Sequence, residues 1–283
     1  KLHLFDASSG ALCLDGTPGG FYFYEGRGEQ GKIWVLHLEG GGWCVDEEDC
    51  KGRAKTPIGS SSSWPMSGCP EMDGSDAGMF SNSSAINPDF ANATKIHLNY
   101  CDGASYAGNV TEVVDGELHF RGALILTELF RALQELGLGE AEALIVKGTS
   151  AGGLGTYLHI DRIRQTLVPP GVKVVGMPGA GMFLDLPAWT GKPSYTPHYQ
   201  YIANMQNVWG FVDDDCIAHY STEERWKCFM APYTLPFITT DLFISNSLTD
   251  AWQAANILQL DCIHNGQLQN CTAQELEAIK NFS

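Results

Sequence analysis

The pentapeptide Gly148-Thr149-Ser150-Ala151-Gly152 sets a serine between small residues at the spacing of a nucleophile elbow. A short apolar run, Ala143 to Lys147, precedes it. A helical pattern, Gly152 to Leu167, follows it and stops at Pro169 and Pro170. Strand, tight turn and helix in that order would raise a serine hydroxyl above a sheet and aim the helix's free N–H groups at it. The chemistry implied is acyl transfer. Ser150 attacks a carbonyl, and the Ala151 N–H donates to the oxyanion. A Gly/Ser-rich helix start can also be chemically silent, so the expectation rests on the flanking strand and helix.

A second constellation, Leu38-Glu39-Gly40-Gly41-Gly42-Trp43-Cys44, directly follows a predicted strand, Ile33 to Leu38. A glycine run there lets backbone N–H groups approach a substrate oxygen, and Gly41 and Gly42 are the candidate donors. The acid of a triad should follow a later strand. Asp250 sits just past the predicted strand Asp241 to Asn246, whereas Asp241 lies before it, at the wrong end. Asp250 would hold a histidine in the right tautomer, and it also fits a helix N-cap. The base should follow the acid, but His264 is the only histidine after Asp250, 14 residues on, between Cys262 and Cys271. That leaves little chain for a helix and a strand. The other seven (His3, His37, His97, His119, His159, His198 and His219) precede the acid and read as structural.

The elements that must position these groups alternate strand and helix, the pattern of an α/β sheet. Lys95 to Tyr100 and Val172 to Val175 read as further strands. Leu118 to Leu136 reads as a helix with Leu126, Leu129, Phe130, Leu133 and Leu136 on one face and Gly137 as its stop. The expected architecture is a single α/β-hydrolase domain over residues 1–283, with a mostly parallel central sheet and helices on both faces. Residues 51–93 and 185–236 look irregular, and 185–236 is expected to be a cap insertion over the site.

Composition bounds the partners. A formal net charge of -16 disfavours nucleic acid and large polyanions. No apolar run is long enough to span a bilayer. Nine scattered cysteines without a CxxC pair give no zinc spacing and suit disulfides in an oxidising compartment. Sequons at Asn82, Asn92, Asn109, Asn270 and Asn281 point the same way, to a secreted glycoprotein. No metal or cofactor is expected.

Taken in order, the motifs resemble the pectin acetylesterase/Notum family of secreted carboxylester hydrolases. They are Cys13-Leu14-Asp15-Gly16-Thr17-Pro18, the Leu38 to Cys44 run, Tyr100-Cys101-Asp102-Gly103-Ala104-Ser105 and Leu118-His119-Phe120-Arg121-Gly122-Ala123. The elbow, Gly181-Met182-Phe183-Leu184-Asp185, Trp226-Lys227-Cys228-Phe229 and Asp250-Ala251-Trp252-Gln253 complete the series. The resemblance implies Ser150 and Asp250 as triad members and Gly41, Gly42 and Ala151 as oxyanion donors. It implies a catalytic histidine beyond Ser283, so the sequence is expected to be a truncated or cleaved chain that associates with its own C-terminal segment. It also implies the pairs Cys13–Cys101, Cys44–Cys50, Cys216–Cys228 and Cys262–Cys271, with Cys69 left over. Gly179 stands where the family usually has Asp, and Met182 where it has an aromatic, which bears on the acyl pocket. Candidate pocket residues are Trp43, Phe183 and Phe229. The expected substrate is a short, acetyl-type ester on a polysaccharide or glycan. The alternatives are long-chain acyl groups on a protein, and a non-catalytic binding module without its histidine.

Overall fold

The structure, a computed structural model, describes residues 1–69, 78–264 and 266–282. Its strands are β1 (Leu2–Leu4), β2 (Gly20–Tyr24), β3 (Ile33–Leu38), β4 (Thr94–Leu98), β5 (Ala143–Thr149), β6 (Lys173–Gly179), β7 (Ile263–His264) and β8 (Gln267–Leu268). Six form one sheet in the order β1-β2-β4-β3-β5-β6, and β7 and β8 form a separate hairpin. β4, β3, β5 and β6 run parallel, while β1 and β2 add antiparallel pairings at one edge. β3 lies between β4 and β5, and its Val35, Leu36 and Leu38 are wholly buried. A strand covered on both faces reads as an unbroken apolar run, which is why this one was legible. The fold is mixed α/β with a mostly parallel sheet, as expected for an α/β-hydrolase.

The helices are α1 (Glu47–Arg53), α2 (Gly122–Glu135), α3 (Ala151–Arg162), α4 (Thr196–Met205), α5 (Asp214–His219), α6 (Ala231–Thr234), α7 (Ala251–Asn256) and α8 (Ala273–Phe282). α3 packs on β3, β5 and β6, and α2 on β2. The opposite face carries Val35, His37, Lys95, His97 and Lys147. There Phe80 meets His37 and Lys147, the Ser81 and Ala91 carbonyls accept from Lys95, and Pro65 accepts from the Tyr22 hydroxyl. Beyond that cover an open apolar groove of about 460 Å³ is lined by Met79, Phe90, Ile145, Val175, Leu242 and Phe243.

Several elements differ from the sequence expectation. The strand read from Lys95 to Tyr100 is Thr94–Leu98. The helix read from Leu118 begins at Gly122, because Leu118 bridges back to Val114 and His119 donates to Leu14. The helix read to Leu167 changes to a π-turn over Ile163–Leu167, and β6 runs on from Val175 to Gly179. Asp241 to Asn246 is not a full strand: it touches β6 only through the Gly176–Leu242 and Gly179–Ser245 bridges. Residues 185–236 are not irregular throughout, since α4, α5 and α6 lie within them. Residues 70–77 of the segment read as irregular lie outside the described residues. The disulfides are Cys13–Cys101, Cys44–Cys50, Cys216–Cys228 and Cys262–Cys271, and Cys69 is buried outside them. Among the described residues no helix is long and apolar enough to cross a membrane.

Candidate active site

Ser150 joins β5 to α3 with φ 58° and ψ −124°, a backbone conformation that a residue with a side chain adopts only under constraint. The constraint is packing. A Cβ on Gly148 would strike the Gly152 carbonyl, and one on Gly152 would strike the Leu38 carbonyl, so only glycine fits either side of the serine. The Ser150 N–H donates to Gly179 O at 3.0 Å and its carbonyl accepts from Leu154 N–H at 2.9 Å, which pins the turn between β6 and α3.

The glycine loop lies directly against this turn. A Cβ on Gly40 would stand 3.1 Å from Ser150 Cβ and 3.3 Å from Ala151 N. Among the described residues, the N–H groups of Gly40, Gly41, Gly42, Trp43 and Ala151 donate to no protein acceptor, so both the glycine loop and the start of α3 offer open donors, the expected Gly41, Gly42 and Ala151 among them. Their carbonyls are held. Arg53 Nη1 donates to Gly41 O at 2.9 Å, the Tyr100 hydroxyl donates to Gly42 O at 2.8 Å, and Ser105 Oγ donates to Ala151 O at 2.7 Å. Ser105 Oγ also accepts the Trp43 indole N–H at 2.8 Å, so one buried hydroxyl ties the glycine loop to the start of α3. Ser105 and the next residue, Tyr106, both sit at positive φ (53° and 62°). Asp102, fully buried, supports that loop by accepting the Ala104 and Tyr106 N–H groups. Burial pushes its carboxyl up to about 7 against those bonds and the nearby Arg53.

Asp250 caps α7, its Oδ1 accepting the Gln253 N–H at 2.9 Å. Gln253 in turn donates to Met182 O at 3.0 Å and accepts from Leu184 N–H at 3.0 Å. Asn246 accepts from Met182 N–H at 3.1 Å. These bonds moor the Asp250 loop to the chain leaving β6, the strand whose last residue accepts from Ser150. Ser150 and Asp250 thus both emerge at the carboxyl-terminal edge of the sheet, where this architecture places its sites.

The histidines are committed elsewhere. His37 and His97 approach each other at 3.2 Å between ring nitrogens. Burial would lower His97, but its bonds to Cys69 and Glu39 raise it to about 10. His159 lies with its two ring nitrogens 2.9 and 3.1 Å from the Ser105 and Phe211 carbonyls, to one of which a neutral ring donates, and burial lowers it to about 4 against those contacts. His3 stacks on Phe21, His119 lies against Gly16, His198 against Tyr195 and His219 against Tyr220. His264 is exposed in the β7–β8 hairpin. Among the described residues, no histidine bonds to Ser150 or Asp250.

Trp43 and Phe183 meet edge to face at 4.8 Å and share a ring cluster with Tyr195, Tyr199 and Trp252. Phe229 is wholly buried and makes no ring contact with that cluster among the described residues. Asn82, Asn92, Asn270 and Asn281 are exposed, and Asn109 is half-buried. Arg53, Tyr100, Ser105 and Gln253 went unread in the sequence as supports of the site. The signal available was Arg53 falling three residues after Cys50, the partner of Cys44 beside the glycine run.

The sheet, its helices and the tight turn at Ser150 define an α/β-hydrolase-like protein. A family model for pectinacetylesterases matches residues 1–283, and the chain belongs to that family. It is 36% identical over 294 residues to pectin acetylesterase 5 of Arabidopsis thaliana, an alignment covering all of this chain and 66% of that protein. It is 32% identical over 283 residues to pectin acetylesterase 4 of the same plant, covering 96% and 67%. With the human palmitoleoyl-protein carboxylesterase NOTUM it shares 30% identity over 279 residues, covering 93% of this chain and 53% of the relative. The chain therefore spans about two thirds of the length of the plant relatives and about half of NOTUM.

Proposed function

We propose that this chain carries the core of a secreted serine carboxylesterase that removes short, acetyl-type acyl groups from a glycan. Ser150 Oγ attacks the ester carbonyl carbon, and its proton passes to a histidine supplied from outside residues 1–283. Asp250 holds that histidine and stabilises its charged form. The oxyanion is met by the N–H groups of Gly41, Gly42 and Ala151. Collapse of the tetrahedral adduct releases the sugar hydroxyl, protonated by the same histidine, and leaves an acyl ester on Ser150. Water then attacks that ester and frees the carboxylic acid.

The observation that carries the reading is the strained Ser150 turn, with the glycine loop against it and N–H groups there that have no acceptor among the described residues. Two features support a short acyl group. The rings of Trp43, Phe183, Tyr195, Tyr199 and Trp252 pack against one another close to the glycine loop and Asp250, and such a cluster would favour a small acyl group if it lines the acyl pocket. The relatives named pectin acetylesterase are also matched over more of their length than NOTUM. Four disulfides support secretion.

The test is turnover of p-nitrophenyl acetate, butyrate, octanoate and palmitoleate by the full-length protein, with Ser150→Ala as control. Acetate and butyrate are expected to be cleaved fastest and the control to be silent. A preference for palmitoleate would replace this reading with a long-chain deacylase. Failure on every ester would leave a binding module.

A further inference from the structure

The glycine loop contains a peptide that is easy to turn over. Gly41 and Gly42 lie at φ 144° and 69°, and neither carries a Cβ to resist rotation of the peptide between them. In a planar trans peptide the C=O and N–H point in opposite directions. A flip would therefore swing the Gly41 carbonyl to where the Gly42 N–H had been, replacing a donor with an acceptor.

Arg53 stands against that flip. Its Nη1 donates to the Gly41 carbonyl at 2.9 Å, and its Nε donates to the Ile58 carbonyl at 3.0 Å. The guanidinium carbon lies 5.0 Å from the centre of the Tyr100 ring. Among the described residues no other group donates to the Gly41 carbonyl. Arg53 Nη2 is buried beside Gly41 without a partner among the described residues, a cost in stability of the kind functional sites carry. Arg53 reaches the loop because it ends α1, which the Cys44–Cys50 disulfide folds back immediately after Trp43.

We infer that Arg53 is the positioning residue of the oxyanion hole: by holding the Gly41 carbonyl away from Ser150 it keeps the Gly42 N–H aimed into the site before substrate arrives. The inference rests on the esterase reading above. A planar fork suits this task, because two donors in fixed geometry serve two carbonyls while the flat face stacks on an aromatic ring.

The test measures kcat and KM for p-nitrophenyl acetate with full-length wild type, Arg53→Met and Arg53→Lys, alongside thermal unfolding. Arg53→Met is expected to lose about 10²–10³ in kcat, the loss typical of one oxyanion donor, with KM changed less than about threefold. A further variant, Arg53→Ala, leaves space for the lost side chain, and added guanidinium ion at millimolar concentration should restore part of its kcat and none of that of Ser150→Ala. Wild-type kcat in a folded Arg53→Met protein overturns the inference, as does a loss confined to KM. Should Arg53→Met lose its native transition, Arg53→Lys decides. It keeps the charge but not the fork, so a kcat at least tenfold down with the transition retained supports the assignment, and an unchanged kcat overturns it. A wild type that cleaves no ester sinks the esterase reading and this inference together, whereas equal cleavage by wild type and Arg53→Met sinks only the inference.

Discussion

Asp250 uses one carboxylate oxygen on the Gln253 N–H and keeps the other free of partners among the described residues. The two uses separate by mutation. Asp250→Asn keeps an oxygen for the cap and loses the charge, so kcat should fall by about 10⁴ with the melting temperature nearly unchanged. Asp250→Ala loses both, so the same fall in kcat should come with about 1 kcal/mol of lost stability, read from denaturant unfolding. If Asp250→Asn keeps full activity, the acid lies elsewhere. Ser150, Asp250 and the glycine run could be proposed from sequence because acyl-transfer chemistry would force residue types at fixed places in the chain. Arg53 was not, because it acts through a carbonyl, and any chain segment that folds back can supply such a donor. Tyr100 and Ser105 were quoted as parts of a motif, but a motif does not say which hydroxyl bonds which carbonyl.

At the level of elements, α3 is clamped at its start by backbone and along its length by His159. Gly152→Ala should drive a methyl into the Leu38 carbonyl, and the helix has to move off β3 to admit it. A loss of about 1–3 kcal/mol or more is expected in urea unfolding. A variant as stable as wild type would mean the turn is looser than its contacts show. His159 predicts a pH dependence. Its folded-state value is lowered from the ordinary 6.5 to about 4, chiefly by burial, which outweighs the Ser105 and Phe211 carbonyls that favour the protonated ring. The neutral ring's contribution is intact above about 6.5 and is lost as pH falls from 6.5 towards 4. The buried Asp102, raised to about 7, works in the opposite sense, since its burial disfavours the charged form above its ordinary range. Comparison with His159→Gln isolates the histidine. Wild type should lose melting temperature between pH 6.5 and 4 more steeply than the variant, and parallel curves would rule the histidine out. The core strands β3 and β5 were legible from their apolar runs. The α4–α6 region was not, because its Pro and aromatic residues sit at cap and packing positions and mask the helical period. Asp241 to Asn246 reads as a strand by composition, yet it meets β6 only at two separated bridges, Gly176–Leu242 and Gly179–Ser245, and so forms no continuous ladder.

The whole molecule shows the same division. A mostly parallel sheet with a serine elbow at its carboxyl edge follows from alternating patterns and one motif. What covers the sheet does not, because cover depends on segments with no period of their own, such as those holding Pro65 and Phe80. The ribbon that carries the chain to Asp250 is the clearest case. Its Phe243 and Ser245 N–H groups bond β6, while the Leu242 and Ile244 N–H groups have no acceptor among the described residues. Phe243 is 67% exposed, Ile244 42% and Leu248 79%. An open backbone edge flanked by bare apolar side chains is a template for β-pairing between molecules. Protein comprising residues 1–283 should therefore associate as concentration rises, seen as growing light scattering, and Ile244→Lys should suppress that growth without touching the bonds to β6. Delivery of the acid and colloidal stability are in this way set by one stretch of chain. If Asp250 is the acid, its placement depends on this path along β6, and whatever shields the ribbon's outer side governs how the protein survives at high concentration.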